Sequence, residues 1–375
     1  MYCRAGRTNA NGELSFAIPS CRLTLPAKVC VSLMSEELPI LVEVRRGAIV
    51  ESRHRGAIIA VEPDGSVSAQ LGDSDFLTST RSTIKPLQAI PFITSGAADH
   101  FGISERELAL VCASHEGEAF HVERVAGMLA RAGLDESALR CGAHAPYNAD
   151  AARALEKEGR QFTQLHNNCS GKHTGMLLTA AHRGLPLDDY YKPEHPIQRE
   201  IVSVLTRMAG LDGELPTAID GCSAPTFGVP LRSLALAFAR LVNPQLVSID
   251  QEIAQAATRV VRAMIEHPEM VGGTKRFDSD LLRAARGKLV CKIGAEAVYG
   301  IGVLPSERHP RGLGISLKIE DGAYRGLGPA VIETLAQLDV LDESEQAGLV
   351  SYHRPSIDNR SGVIVGEVRA IFRLV

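Results

Sequence analysis

Strand-like sequence stands at both ends of this chain, and helix-like sequence fills the space between. A chain patterned in this way has few ways to fold. The simplest is an α+β architecture: one antiparallel sheet built from both chain ends, with a helical region inserted. Near the front, residues 40–44, 48–51 and 56–62 are rich in Ile and Val. Pro63, Asp64 and Gly65 then make a turn, and 67–71 returns as a strand. Near the back, 289–293, 297–303 and 314–319 read as short apolar strands. In 362–375, Ile364, Val368, Ala370, Phe372 and Leu374 recur at period two on one face. The sheet is therefore expected from residues 38–80 and 288–375, and the helical part from 81–287, all within one domain, 34–375.

Helical periodicity governs the middle. The apolar run 87–98 follows Ser82. Ser104 caps a helix over 105–113, with Glu107 three residues on as its capping-box partner. Further helices are expected over 121–132, 151–158, 172–182, 196–209, 231–242 and 249–265. Two more, 328–338 and 343–350, precede the last strand.

Composition excludes several classes. The net charge is −4 without a long basic block, which argues against nucleic acid or an anionic membrane as partner. Trp is absent and aromatics make up 5% of the chain, too few for base-stacking platforms. No apolar run approaches a bilayer span. A small-molecule substrate is what remains. The eight cysteines are widely spaced in a chain of 375 residues, so no disulfide framework is needed and a reducing cytoplasm is the expected location. Residues 1–33 are basic and turn-rich, with Cys3, Cys21 and Cys30, and Met34 opens a segment that looks like an ordinary start. Residues 1–33 are expected to be a dispensable leader.

Four stretches carry chemistry. In Thr80-Arg81-Ser82-Thr83-Ile84-Lys85-Pro86, Ser82 and Lys85 stand one helical turn apart. A serine hydroxyl is a poor nucleophile until a base takes its proton, and a lysine with a lowered pKa can be that base. The same spacing also suits an ordinary helix start with a solvated lysine. In the run 165–176, Cys169 and Lys172 repeat the i, i+3 spacing at another helix start, where a thiolate would be stabilised. In 219–226, Asp220 and Cys222 point the same way if the backbone is extended. With Cys169 they give two sulfurs and one oxygen, a set that suits zinc, whereas Lys172 is a poor ligand unless deprotonated. Finally, Lys292 and Gly294 lie on an expected strand, and such a lysine beside a Ser-x-x-Lys helix suits serine acyl-transfer chemistry. Ser114 offers a second hydroxyl. His115, Glu116 and His121 lack the usual metal-binding spacing.

Taken in order, Arg81-Ser82-x-x-Lys85-Pro86, Cys112-Ala113-Ser114-His115, Asn168-Cys169-Ser170-Gly171-Lys172-His173, Asp220-Gly221-Cys222 and Lys292-x-Gly294 resemble the rhizobial-type L-asparaginases of the asparaginase II family. The resemblance runs from about Leu41 to the C-terminus, and implies a fold similar to serine β-lactamases and glutaminases. It implies two Ser-Lys pairs, Ser82 with Lys85 and Ser114 with Lys292. It also implies a Zn2+ site on Cys169, Lys172 and Cys222 with Asp220 beside them, substrate contacts from Arg81 and His173, and a homodimer. The expected reaction is hydrolysis of L-asparagine to L-aspartate and ammonia. Three alternatives stay open: a glutaminase or other small-amide hydrolase, a penicillin-recognising enzyme, and a non-catalytic zinc-binding protein.

Overall fold

The computed structural model describes residues 37–375, so the expected leader, 1–33, lies outside the described residues. Among the described residues eleven strands form: β1 (Ile40–Arg46), β2 (Ile49–Val61), β3 (Val67–Leu71), β4 (Leu77–Ser79), β5 (Thr217–Ile219), β6 (Pro225–Pro230), β7 (Leu289–Gly294), β8 (Val298–Val303), β9 (Leu313–Ile319), β10 (Ser356–Asp358) and β11 (Ile364–Ala370). The main sheet runs β10-β11-β1-β2-β9-β8-β7, with β3 also on β2, and all its pairings are antiparallel. The sheet is thus assembled from both chain ends, with Val42 of β1 opposite Ala370 of β11. This is the expected α+β architecture.

β2 joins the two halves of the sheet. Its first part pairs with β1, and from Gly56 onward it pairs with β9 and β3. One face of β8 and β9 is packed by the helix Leu231–Val242. Glycines make that approach possible: a Cβ on Gly314 would run into the Ala235 carbonyl, and one on Gly300 into the Phe238 ring. The helix Tyr324–Gln337 packs against β1, β9 and β11.

The inserted region differs from the expectation in three places. First, it is not wholly helical. A three-stranded sheet, β4-β6-β5, ties residues 77–79 to the 217–230 segment. Strands of three residues are too short to leave a periodicity. Second, the run 87–98 is not one helix. It breaks into Lys85–Gln88, Ile90–Thr94 and Ala97–His100, because Pro91 lacks an amide proton and Gly96 turns left-handed at φ +81. Third, the last strand stops at Ala370. The tail leaves β1 and crosses to β3, where the amide of Gln70 donates to the carbonyl of Val375 at 2.9 Å. The capping box at Ser104 forms as read, with the Glu107 amide on the Ser104 hydroxyl and the Glu107 carboxylate on the Ser104 amide.

Candidate active site

Ser82 sits in a 3-10 turn, Arg81–Ile84, which runs directly into the helix that begins at Lys85. Arg81 adopts φ +43, a left-handed conformation that costs a non-glycine residue about 1–2 kcal/mol. Two contacts hold it there. The Arg81 amide donates to the Thr226 hydroxyl on β6 at 3.0 Å. Its guanidinium makes a two-point bond to Asp220, at 3.3 and 3.1 Å. The unexpected small sheet therefore fixes the turn that presents Ser82.

Lys85 is buried and its ammonium has three acceptors: the Ala113 carbonyl at 2.6 Å, the Ser114 hydroxyl at 3.0 Å and the Asn168 carbonyl at 3.2 Å. Two helices bring these acceptors together. Glu105–Val111 ends just before Ala113, and Ser170–His182 starts just after Asn168. They cross closely because position 171 is glycine, where a Cβ would meet the Leu110 carbonyl. Burial lowers the Lys85 pKa to about 8. The cations of Lys172 and Lys292 add to that effect, and the sulfurs of Cys169 and Cys222 oppose it.

The hydrogen bonds redraw one expected pair. Ser114 is bonded to Lys85, whereas Lys292 donates to Asp278 at 3.0 Å and to the Ile293 carbonyl at 3.1 Å. The reason is electrostatic. Lys292 lies on β7 with no solvent exposure, and a fully buried ammonium needs a carboxylate more than it needs a hydroxyl. Asp278 is equally buried. It also accepts the Tyr299 hydroxyl at 2.8 Å and the Ile293 amide at 3.1 Å, which secures its charge. Asp278 carries no motif. The signal for it was the buried lysine, which demanded an anion from somewhere.

The sulfur cluster forms only in part as read. Lys172 donates to the Cys222 sulfur at 3.2 Å, and Cys169 lines the cavity beside them. Cys169, Lys172 and His173 hold Cys222 far below the usual thiol range against the opposing effect of burial, and Cys169 is pushed up by Cys222 and by burial. Burial alone would lower the Lys172 pKa, but the two sulfurs outweigh it and raise it. Asp220 does not join them. Residues 220–223 form a turn, with the Ser223 amide on the Asp220 carbonyl at 2.9 Å and Ser223 at φ +70, so Asp220 and Cys222 do not share one face of an extended strand. Both Asp220 oxygens go to Arg81. Among the described residues no three His, Cys, Asp or Glu side chains stand together as a metal cage. Of the expected ligands, Cys169, Cys222 and Lys172 stand near one another, and Lys172, its pKa raised, would have to give up a proton to bind an ion.

His173, expected to touch substrate, is fully buried behind Cys222. Tyr190 takes the Arg140 amide on its oxygen at 3.0 Å and stands 2.6 Å from His173 Nδ1, so its own proton goes to that nitrogen. The other nitrogen, Nε2, is buried without a hydrogen-bond partner. His173 thus sits behind the site and does not line the cavity.

A cavity of about 540 Å³ opens between these groups. Ser82, Ser114, Asn168, Cys169 and Cys222 line it, together with Arg81, Asp220, Glu116 and Arg276. Two hydroxyls, two sulfurs and two ion pairs thus meet at one space, with the Lys85 amine behind Ser114. Such a set suits nucleophilic attack on a small polar carbonyl compound.

The sequence profile of the family described as L-asparaginase II matches residues 42–370. The chain belongs to the L-asparaginase II family. Its members' activity makes it an amidohydrolase, acting on an amide C–N bond. A search of curated proteins gives no match. Among solved structures, the chain is similar to a probable glutaminase from Bacillus subtilis complexed with 6-diazo-5-oxo-L-norleucine. Identity is 13%, coverage is 76% of this chain and 85% of that one, and the TM-score is 0.37. A Bacillus glutaminase in 4.3 M NaCl gives 13%, 76%, 91% and 0.35. A β-lactamase from Desulfarculus baarsii gives 16%, 71%, 82% and 0.33. At scores this low, the fold rests on the strand order described above. Among the described residues no helix is long and apolar enough to cross a membrane.

Proposed function

We propose that this amidohydrolase cleaves the side-chain amide of L-asparagine, giving L-aspartate and ammonia. Ser82 is the nucleophile, and Lys85 is its base. The observation that carries this reading is the 3.0 Å contact of Lys85 with Ser114 at the edge of the cavity that also holds Ser82. Ser82 Oγ attacks the amide carbon, and its proton passes through the Ser114 hydroxyl to Lys85 Nζ. The developing oxyanion is met by the Ser82 amide, since the amides of Arg81 and Thr83 are taken by the Thr226 hydroxyl and the Thr80 carbonyl. Collapse breaks the C–N bond, and Lys85 returns the proton to the departing ammonia. Water then attacks the Ser82 ester with Lys85 again as base, releasing aspartate. Lys292, held by Asp278, keeps a positive charge near Lys85 and so favours its neutral form. Arg81 adds positive charge to the wall beside Ser82.

Cys169, Lys172 and Cys222 would hold a zinc ion on the same wall. Bound there, zinc would supply a Lewis-acidic centre beside Ser82. A homodimer and a cytoplasmic location belong to the same reading.

Ammonia release is the test, with asparagine, glutamine and a chromogenic β-lactam compared side by side. Asparagine turnover that disappears in Ser82→Ala, with the fold intact by circular dichroism, is the expected result. Appreciable activity in Ser82→Ala overturns the assignment of the nucleophile. Faster release from glutamine makes the protein a glutaminase, since one methylene is worth only about 1–3 kcal/mol in a pocket.

A further inference from the structure

The cavity has two ion pairs on its walls, and they are not built alike. Asp220 spends both carboxylate oxygens on Arg81, and one of them also accepts the Gly221 amide at 2.6 Å. That pair holds a turn. Glu116 and Arg276 are joined by a single bond of 2.9 Å, from Arg276 Nη1 to Glu116 Oε1. Both side chains line the same cavity.

The Glu116 backbone is firmly set. Its amide donates to the Gly272 carbonyl at 2.9 Å, and its carbonyl accepts the Asn148 amide at 3.1 Å. Two residues earlier, the Ser114 amide donates to the Val271 carbonyl at 3.1 Å. Ser114 and Glu116 both line the cavity. His115 between them points away, to Ser170 at 2.8 Å. A molecule with its amide at the serines has its other end at Glu116 and Arg276.

We propose that Glu116 and Arg276 form the subsite for an α-amino-acid end, with Glu116 Oε2 taking the ammonium and Arg276 the carboxylate. A zwitterion matches an acid–base pair in both charges, and each charged hydrogen bond is worth more than a neutral one. These residues select an amino-acid amide over a simple acid amide. The inference rests on the amidohydrolase reading of the same cavity.

The experiment compares L-asparagine with its des-amino analogue succinamate in the full-length protein, Glu116→Gln and Arg276→Gln. Glu116→Gln is expected to raise KM for asparagine about tenfold or more with kcat little changed, leave succinamate kinetics alone, and so erase the preference between them. Arg276→Gln is expected to raise KM for both, with partial rescue in Arg276→Lys. In parallel, calorimetry follows L-aspartate binding to Ser82→Ala with and without Glu116→Gln, and thermal midpoints confirm folding. Unchanged KM, preference and aspartate affinity in a folded Glu116→Gln variant overturn the subsite. Should the wild type release no ammonia while Glu116→Gln still weakens aspartate binding, the hydrolysis fails and the subsite stands.

Discussion

Lys85 Nζ lies 3.0 Å from Ser114 Oγ, so the base and the second hydroxyl of the site are already in contact. Two carbonyls complete its shell, which suits an ammonium. When the amine is neutral, the hydroxyl reverses and donates to it across the same distance. Ser114→Ala removes this path and is expected to lower kcat by about 10²-fold or more, with asparagine KM nearly unchanged. Steady-state kinetics check it.

The pH profile follows from the same amine. Lys85 acts as a base only when deprotonated, and its pKa is lowered to about 8. Below that pH, kcat/KM should fall about tenfold per unit, and above it the rate should level off. Stability has a matching sign. The folded pKa is depressed from 10.5, so burying the charged lysine costs stability below about pH 8. That cost is relieved as pH rises from about 8 to 10.5. The double variant Asp278→Asn, Lys292→Met removes a cation that faces Lys85 and should move the rise to higher pH.

Breaking the buried pair from one side is a separate matter. Lys292→Met alone leaves Asp278 charged and fully buried, with about 3–5 kcal/mol of stability lost. The double variant above should recover most of it. Denaturant melts of the two variants give the comparison, and equal destabilisation would contradict it.

Asp220 and the two sulfurs make opposite predictions for metal. Cys169→Ala and Cys222→Ala should lose bound zinc in elemental analysis of purified protein. Asp220→Asn should keep its zinc, because both oxygens are committed to Arg81. It should nevertheless lose activity, since Arg81 then leaves its left-handed turn beside Ser82.

Gly314→Ala tests the packing that supports β9. The added methyl meets the Ala235 carbonyl, which is backbone and cannot swing aside. A loss of about 1–3 kcal/mol is expected in thermal or urea unfolding.

The main sheet was legible because its strands are long enough to show a pattern, and so was the turn at Ser82 that leads into the helix at Lys85. Contacts set by tertiary structure were not. Nothing local tells Lys85 that its partner is Ser114, because that meeting depends on two helices crossing at Gly171. Asp278 sits in an ordinary amphipathic helix, Phe277–Ala284, and only the buried Lys292 implied it. Asp220 read as a ligand because its spacing from Cys222 assumed an extended chain, where the structure has a turn.

The pairing of β1 with β11 has a bearing on synthesis. During synthesis β1 meets β2 early, but the ribosome has produced nearly all of the chain before β1 finds its second neighbour, β11. Until then the edge of β1 is an unsatisfied row of amides and carbonyls, open to any strand nearby. Biogenesis, more than the finished molecule, is where this architecture invites aggregation and where chaperones have most to protect.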